Sequence, residues 1–134
     1  MEIDLVRKSD VDIIFPYIKD YLAKAAEYTH GRFTVEDIHK DLTDNKQLWI
    51  AYVGTDFYGA VVTELLEYPQ KKVLVLHFTG GKEFSKWHKP ILESLKLFAK
   101  ENVCDAIEFC GRSGWTKLFE QDGYKPIFTF YELS

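Results

Sequence analysis

An apolar run that ends at two glycines and leads into a helical pattern constrains this chain more than any other segment. Residues 72–79 are typical of a buried strand, Gly80 and Gly81 end it, and an amphipathic helix is predicted from about residue 86 to 101. A junction of strand, glycine turn and helix presents backbone N–H groups to an anionic ligand. The two glycines are equally suited to a plain connection with positive φ. The junction therefore predicts either an anion-binding loop or a strand-to-helix turn.

The length and the apolar content predict one ordered domain over residues 1–134. Hydrophobic residues make up 46% of the 134 residues, which suits a single core and excludes a disordered chain. No apolar run approaches the roughly 20 residues that cross a bilayer, and residues 1–4 do not resemble a signal peptide. We therefore expect no membrane association and a location in the cytoplasm or inside a particle. The net charge of −4 argues against nucleic acid as a partner.

The two cysteines predict neither a disulfide nor a metal site. Cys104 and Cys110 fall in one predicted strand, residues 103–110, which would hold them about 20 Å apart. A disulfide needs Cα atoms within about 7 Å of each other. The spacing of the cysteines and of the four histidines matches no zinc motif. We expect both cysteines to be reduced thiols of the core.

The order of the predicted elements is strand, helix, helix, three strands, helix, strand, helix, strand. Short turns join the three consecutive strands, which favours antiparallel pairing, whereas the helix after them requires a right-handed crossover to a parallel strand. The fold class is therefore α/β, with a mixed, mostly antiparallel sheet and helices on both faces. The predicted elements cover residues 2–7, about 11–29, 35–42, 47–53, 57–68, 72–79, 86–101, 103–110, 115–121 and 124–133.

This order resembles the GNAT N-acetyltransferase fold over nearly the whole chain. Residues 56–61 are similar to the GNAT strand with an early glycine, and residues 119–124 are similar to the family's Tyr-Glu-x-x-Gly-Phe segment. A closer likeness is to phage-encoded GNAT-like proteins, which carry similar segments in the same order. These segments are Gly59 to Glu64, Tyr68-Pro69, Gly80-Gly81 followed by Trp87, and Gly111 to Trp115. The resemblance implies a phage or prophage origin and, for some members, a place in or near the virion.

The resemblance also implies a site for acetyl-CoA and transfer of its acetyl group to an amine of a small molecule or a protein. Backbone N–H groups at the strand end, two lysines and an arginine fork would hold the cofactor. The implied cofactor-binding residues are Phe78, Thr79, Gly80, Gly81, Lys82, Lys86 and Arg112. Arg112 could equally bind a carboxylate. The resemblance does not identify the acceptor.

Glu64 and His77 are the candidate catalytic residues. Glu64 lies on the long strand where some GNAT proteins keep a general base, and it could take a proton from the amine directly or through water. A carboxylate that merely faces solvent is the alternative. His77 lies two residues before the turn, where a neutral imidazole could also act as a base. A hydrogen-bonded core histidine is the alternative for that position.

Two departures from the GNAT pattern favour other functions. The turn lacks a second glycine at the family's spacing, and Glu83 adds negative charge where phosphates would bind. Phe119 aligns with the tyrosine that protonates the leaving thiolate, and phenylalanine has no hydroxyl. Besides an acetyltransferase, the sequence thus permits a non-catalytic scaffold that contacts a virion or host protein. A module that binds CoA or a nucleotide without turnover is the third possibility.

The last predicted strand is a candidate contact with another chain. Its run of Phe128, Thr129, Phe130 and Tyr131 is rich in aromatic residues that could cover a partner subunit. A terminal strand also offers an edge for pairing. A homodimer through this strand is therefore a prediction of the sequence.

Overall fold

The computed structural model describes residues 1–42, 45–110 and 116–134, and within residues 116–118 it describes the backbone alone. The described residues form one five-stranded sheet in the order β1-β2-β3-β4-β5. The strands are β1 Glu2–Leu5, β2 Lys46–Val53, β3 Asp56–Tyr68, β4 Lys71–Gly81 and β5 Ala106–Phe109. The helices are α1 Val11–Glu27, α2 Val35–Lys40, α3 His88–Glu101 and α4 Thr116–Gln121.

The sheet is mixed and mostly antiparallel, as predicted. Strands β1 to β4 pair antiparallel with their neighbours, whereas β5 runs parallel to β4 after the crossover through α3. The predicted element order is confirmed from β1 to α4, and the predicted last strand is wrong. Residues 124–134 form neither helix nor strand. Among the described residues they pair with no strand of the sheet, so no ladder of hydrogen bonds holds them extended.

Apolar side chains form one core on each face of the sheet. The core under α1 and α2 contains Phe15, Ile18, Leu22, Ile38, Leu48, Ile50, Ala60, Val62 and Phe78 among its members. The core under α3 contains Trp49, Ala51, Val61, Leu74, Leu76, Trp87, Ile91, Leu95 and Ala99. Alternation of side chains along β2 and β3 supplies both cores. The predicted placement of helices on both faces is therefore confirmed.

Local signals define the ends of α2 and α3. Thr34 and Asp37 form a capping box at the start of α2, in which each side chain accepts a hydrogen bond from the other residue's backbone N–H. At the end of α3 the N–H groups of Val103 and Cys104 bond to the carbonyls of Lys100 and Ala99. This is a Schellman motif. Val103 takes its left-handed position, with φ 56°.

The structure tests the expectation that both cysteines are reduced thiols of the core. Both cysteines are free thiols, but only Cys104 is half-buried, and Cys110 is exposed, so the prediction of two core thiols is wrong for Cys110. Burial raises the pKa of the Cys104 thiol. Cys110 lies just beyond the end of β5 rather than within it.

In the part of the chain that the structure describes, no helix combines the length and the apolarity that a membrane span needs.

Candidate functional site

A β-bulge in β4 brings the two candidate catalytic residues together. Val62 lies opposite Phe78 and Thr63 lies opposite Leu76, so His77 is an extra residue with no partner on β3. Its Nε2 lies 2.6 Å from Oε1 of Glu64. The His77 side chain is 30% exposed and that of Glu64 is 21% exposed. The pair is neither fully solvated nor buried in the core.

The bulge also decides on which face the pair lies. Leu76 packs in the core under α3, whereas Phe78, two residues later, packs in the core under α1. In a regular strand these two side chains would share a face. Glu64 follows Val62 by two residues and therefore faces α1, as Val62 does. The Glu64–His77 pair thus opens on the face that α1 and α2 cover.

Strands β4 and β5 pair along only part of β4. Their register runs from Val73 opposite Ala106 to Leu76 opposite Phe109, and β4 then continues to Gly81. No pairing of β4 with β5 is described beyond that point. This leaves the last five residues of β4 with one strand neighbour, β3, among the described residues.

Two backbone amides of β4 point to the side of the sheet where β5 diverges. The N–H of Lys82 donates to the carbonyl of Tyr58 at 2.7 Å, on the β3 side. Because N–H groups alternate in direction along a strand, those of Thr79 and Gly81 point away from β3. Among the described residues no strand pairs with this part of β4 on that side, so these amides can donate to an extended ligand or to its carbonyl groups. These are the backbone groups that best fit the cofactor predicted from the sequence.

Gly80 and Gly81 are strand residues, and neither has the positive φ that the alternative interpretation required. They are the last two residues of β4 and lie in its ladder with Ala60 and Gly59. A Cβ at Gly80 would lie 2.2 Å from the carbonyl oxygen of Tyr21, and one at Gly81 would lie 2.3 Å from that of Tyr58. Close backbone packing therefore explains both glycines.

Trp87 accounts for a further part of the glycine pattern. Its side chain is fully buried, and its Nε1 donates to the carbonyl of Lys82 at 2.9 Å. The indole covers Gly59 and Gly81, which lie opposite each other on β3 and β4. The left-handed residue of this connection is Glu83, with φ 50°. The spacing of Gly59, Gly81 and Trp87 is thus a packing pattern.

The two lysines predicted to bind phosphate each contact a carboxylate. Nζ of Lys82 lies 2.9 and 3.2 Å from the two oxygens of Asp56, and Nζ of Lys86 lies 2.7 Å from Oε1 of Glu83. These hydrogen bonds raise the pKa of both lysines. All four side chains are largely exposed. The positive charge lies at the predicted place, but it is neutralised locally.

Aromatic side chains fill the space between the start of α3 and α4. The Phe84 ring lies 5.9 Å from that of Phe119, which lies 3.7 Å from Phe109 and 5.3 Å from Tyr124. The cavity at this place, bordered also by Thr79, is about 10 Å³, enough for one water molecule at most. Burial and the charge of Asp122 raise the pKa of the Tyr124 phenol.

A buried contact between a histidine and an aspartate lies beside this cluster, and no sequence pattern indicated it. Nδ1 of His88 lies 2.8 Å from Oδ2 of Asp122, and both side chains are more than nine-tenths buried. The pair joins the first residue of α3 to the residue that follows α4. A histidine and an aspartate 34 positions apart carry no spacing signal that sequence reasoning could use.

The predicted arginine fork and a metal site complete the sequence-based expectations. Arg112 lies outside the described residues, as does Trp115. Within residues 1–42, 45–110 and 116–134, no three His, Cys, Asp or Glu side chains converge in a way that could hold a metal ion.

Comparisons with known proteins extend these observations. No protein-family model matches the sequence, and no curated protein is similar to it in sequence. The tetramutant of the BH1408 protein from Bacillus halodurans superposes with a TM-score of 0.76 at 12% identity, over 100% of this chain and 99% of that one. A probable acetyltransferase gives 0.74 at 17% identity, over 100% of this chain and 97% of that one.

A third solved structure has a more specific name. The ribosomal-protein-alanine N-acetyltransferase of Brucella melitensis biovar Abortus 2308 superposes with a TM-score of 0.72 at 18% identity, over 99% of this chain and 97% of that one. At such identities the likeness speaks for the fold alone. The described residues have the α/β fold of the GNAT acetyltransferases.

Proposed function

We propose that this protein transfers an acetyl group from acetyl-CoA to an amine, with the Glu64–His77 pair as the proton acceptor. The contact of 2.6 Å between Oε1 and Nε2 at the bulge of β4 carries the proposal. The side chains are 30% and 21% exposed, so both remain partly accessible to solvent and to a substrate. Solved structures of the same fold that are named as acetyltransferases support it.

The pair has the chemistry that the reaction needs from the protein. An alkylamine is protonated at neutral pH, and it becomes a nucleophile only after a base removes its proton. Nε2 of His77 is engaged by Glu64, and the contact fixes the orientation of the imidazole. No hydrogen bond of Nδ1 of His77 or of Oε2 of Glu64 is found among the described residues. Either atom can therefore accept the proton.

Residues at the end of β4 would hold the cofactor. The amides of Thr79 and Gly81 point to the side where β5 diverges, and Lys82 and Lys86 follow them. When bound, acetyl-CoA supplies an acyl thioester, which a deprotonated amine can attack without further activation of the thioester. The negative charge of Glu83 opposes phosphate binding next to Lys86. We therefore expect weak binding of the cofactor.

Kinetics with two substitutions and a matched control test the proposal. Glu64→Gln and His77→Asn should each lower kcat for acetyl transfer to a preferred amine by about 100-fold, because each removes the base or its orientation. Binding of acetyl-CoA, measured by calorimetry, should stay unchanged. Glu67→Gln, on the same strand, should leave both quantities at the wild-type level. Wild-type turnover in both site variants would contradict the assignment of the base.

A second function is favoured by the packing between α3 and α4. Phe84, Phe109, Phe119 and Tyr124 leave a cavity of about 10 Å³, and Phe119 has no hydroxyl to protonate a thiolate. These features suit a scaffold that has kept the fold for protein contacts. In view of the sequence resemblance, such contacts would be made in a phage particle or with a host factor.

Ligand binding separates the two functions. Heat of binding or a thermal shift with millimolar acetyl-CoA, followed by transfer to an amine panel, would support the enzyme. Binding without transfer would indicate a binding module. The absence of both heat and thermal shift, combined with co-purification of the protein with virions, would support the scaffold.

A further inference from the structure

We infer that Glu108 selects the acceptor by binding a second positive charge of the amine, so that the preferred substrates are short diamines. This selection rests on the proposed function, because the Glu64–His77 pair is taken as the place where the reacting amine loses its proton. Glu108 itself is a specificity residue and takes no part in that proton transfer.

Glu108 lies on the same face of the sheet as Glu64. Its neighbours Ile107 and Phe109 pack against the core under α3, so the side chain between them faces α1. The parallel pairing of β5 with β4 places Glu108 opposite Val75, and β3 places Glu64 opposite the same valine. The two glutamates are therefore two strand spacings apart, about 10 Å between their Cα atoms.

No cation pairs with Glu108 in the part of the chain that the structure describes. Its side chain is half-buried, and the neighbouring Val75 is also half-buried and supplies no charge. A carboxylate that has lost part of its hydration gains from a cation that donates hydrogen bonds to it. Glu108 thus offers a binding position for a positive group of a ligand.

The lysine of the same cross-strand row is engaged elsewhere. Lys46 lies opposite Glu64 on β2, on the side away from Glu108. Its Nζ lies 3.6 Å from Oδ2 of Asp41. Three strand spacings, about 15 Å between Cα atoms, separate Lys46 from Glu108, which is beyond direct ion pairing and beyond the screening length of about 8 Å at physiological salt. The charge of Glu108 therefore remains available to a substrate.

The spacing of the two glutamates fits a diamine of four or five carbons. Each glutamate side chain covers part of the distance between the strands, which leaves roughly 5–8 Å between two nitrogens that contact them. An extended chain of four or five carbons separates its terminal nitrogens by about 6–8 Å. Val75 lies between the two positions and provides an apolar surface for the methylene groups. One nitrogen then lies at the Glu64–His77 pair and the other at Glu108.

Kinetics with matched amines test the role of Glu108. At saturating acetyl-CoA, kcat/KM for 1,4-diaminobutane should exceed that for butylamine by about tenfold, because the second ammonium forms a charge-assisted contact with Glu108. Glu108→Gln should lower this ratio to less than about twofold, whereas Glu67→Gln, on the other face of β3, should keep it. An equal kcat/KM for the two amines in the wild type would overturn the inference. A ratio that Glu108→Gln leaves unchanged would also overturn it.

A shorter side chain at the same position tests the geometry. Glu108→Asp keeps the charge but withdraws it by one methylene group, so the preferred diamine should become one carbon longer. A preference that stays at the same chain length would contradict the direct contact between Glu108 and the second ammonium.

Calorimetry without acetyl-CoA separates this inference from the proposed function. The wild type should bind 1,4-diaminobutane more tightly than butylamine, and Glu108→Gln should bind the two alike. This pattern without acetyl transfer would refute the enzyme and support the diamine site. Acetyl transfer without preference for a diamine would support the enzyme and refute the role of Glu108. Absence of both diamine binding and transfer would refute both.

Discussion

Trp87 lies against Gly59 so closely that a Cβ at this glycine would be 2.2 Å from Cζ2 of the indole. The indole is fully buried, and its Nε1 is bonded to the backbone of Lys82, so it cannot move aside without a cost. Overpacking of a core typically costs 1–3 kcal/mol. We expect Gly59→Ala to lower the free energy of unfolding by about 2–3 kcal/mol, measured by urea denaturation.

A second substitution checks that the ring is the cause. In Trp87→Leu the space over Gly59 opens, so adding Gly59→Ala to that variant should cost less than it costs in the wild type. A double-mutant cycle measures this difference. Equal costs in both backgrounds would show that strain in β3, rather than the indole, explains the glycine.

Glu83 is expected to weaken binding of a phosphate-bearing cofactor. Glu83 forms an ion pair with Lys86, three positions later, and Glu93 forms the same kind of pair with Lys96. Glu83→Gln should increase the affinity for acetyl-CoA about threefold at low salt, because it removes a negative charge beside the expected phosphates. Glu93→Gln removes the same kind of charge farther along α3 and should have no effect. An unchanged affinity in Glu83→Gln, measured by calorimetry, would contradict a phosphate site at this loop.

Val103 is a β-branched residue in a left-handed conformation. Its φ is 56°, and its side chain is 80% exposed, so it contributes little packing. Glycine takes this conformation without steric cost. Val103→Gly should therefore raise the free energy of unfolding by about 0.5–1 kcal/mol, because the relief of left-handed strain exceeds the extra entropy that glycine loses on folding. Val53→Gly, at the exposed end of β2, should lower it instead, and a thermal melt of both variants compares the two effects.

The capping box of α2 makes stability depend on acid pH. A hydrogen bond from the N–H of Thr34 lowers the pKa of Asp37 below the unfolded value of 3.8. The stabilisation is therefore present above pH 3.8 and is lost as the pH falls through the lower, folded-state pKa. Asp37→Ala should destabilise the protein at pH 7, and the difference from the wild type should shrink towards pH 2. A difference that does not depend on pH would contradict the hydrogen bond.

Local patterns in the sequence predicted most elements of the fold. The capping box gave the start of α2, and Gly54 marked the hairpin, since β2 ends at Val53 and β3 begins at Asp56. The apolar stripe of α3 gave the helix within two residues of its observed start. These features depend on neighbours in sequence, which explains why they could be predicted.

The bulge at His77 and the end of the chain depend on tertiary structure. The run of apolar residues in β4 is compatible with a regular strand, so nothing in it indicated that Leu76 and Phe78 face different cores. Glu64 and His77 were predicted one by one, and only the register of β3 and β4 shows that they meet. Residues 124–133 have the composition of a strand, but composition does not supply a neighbour with which to pair.

The bulge in β4 also has a consequence for how this chain tolerates length changes. Before His77 the even-numbered side chains of β4 face α3, and after it they face α1. The extra residue therefore lets both halves of the strand place their large apolar side chains in a core. Deleting a single residue there would rotate one half by half a turn, turning Phe78 outwards from α1 and Gly80 away from the helix that packs on it. Related chains that lack the insertion would have to carry the inverse pattern of large and small residues from this position to the end of the strand.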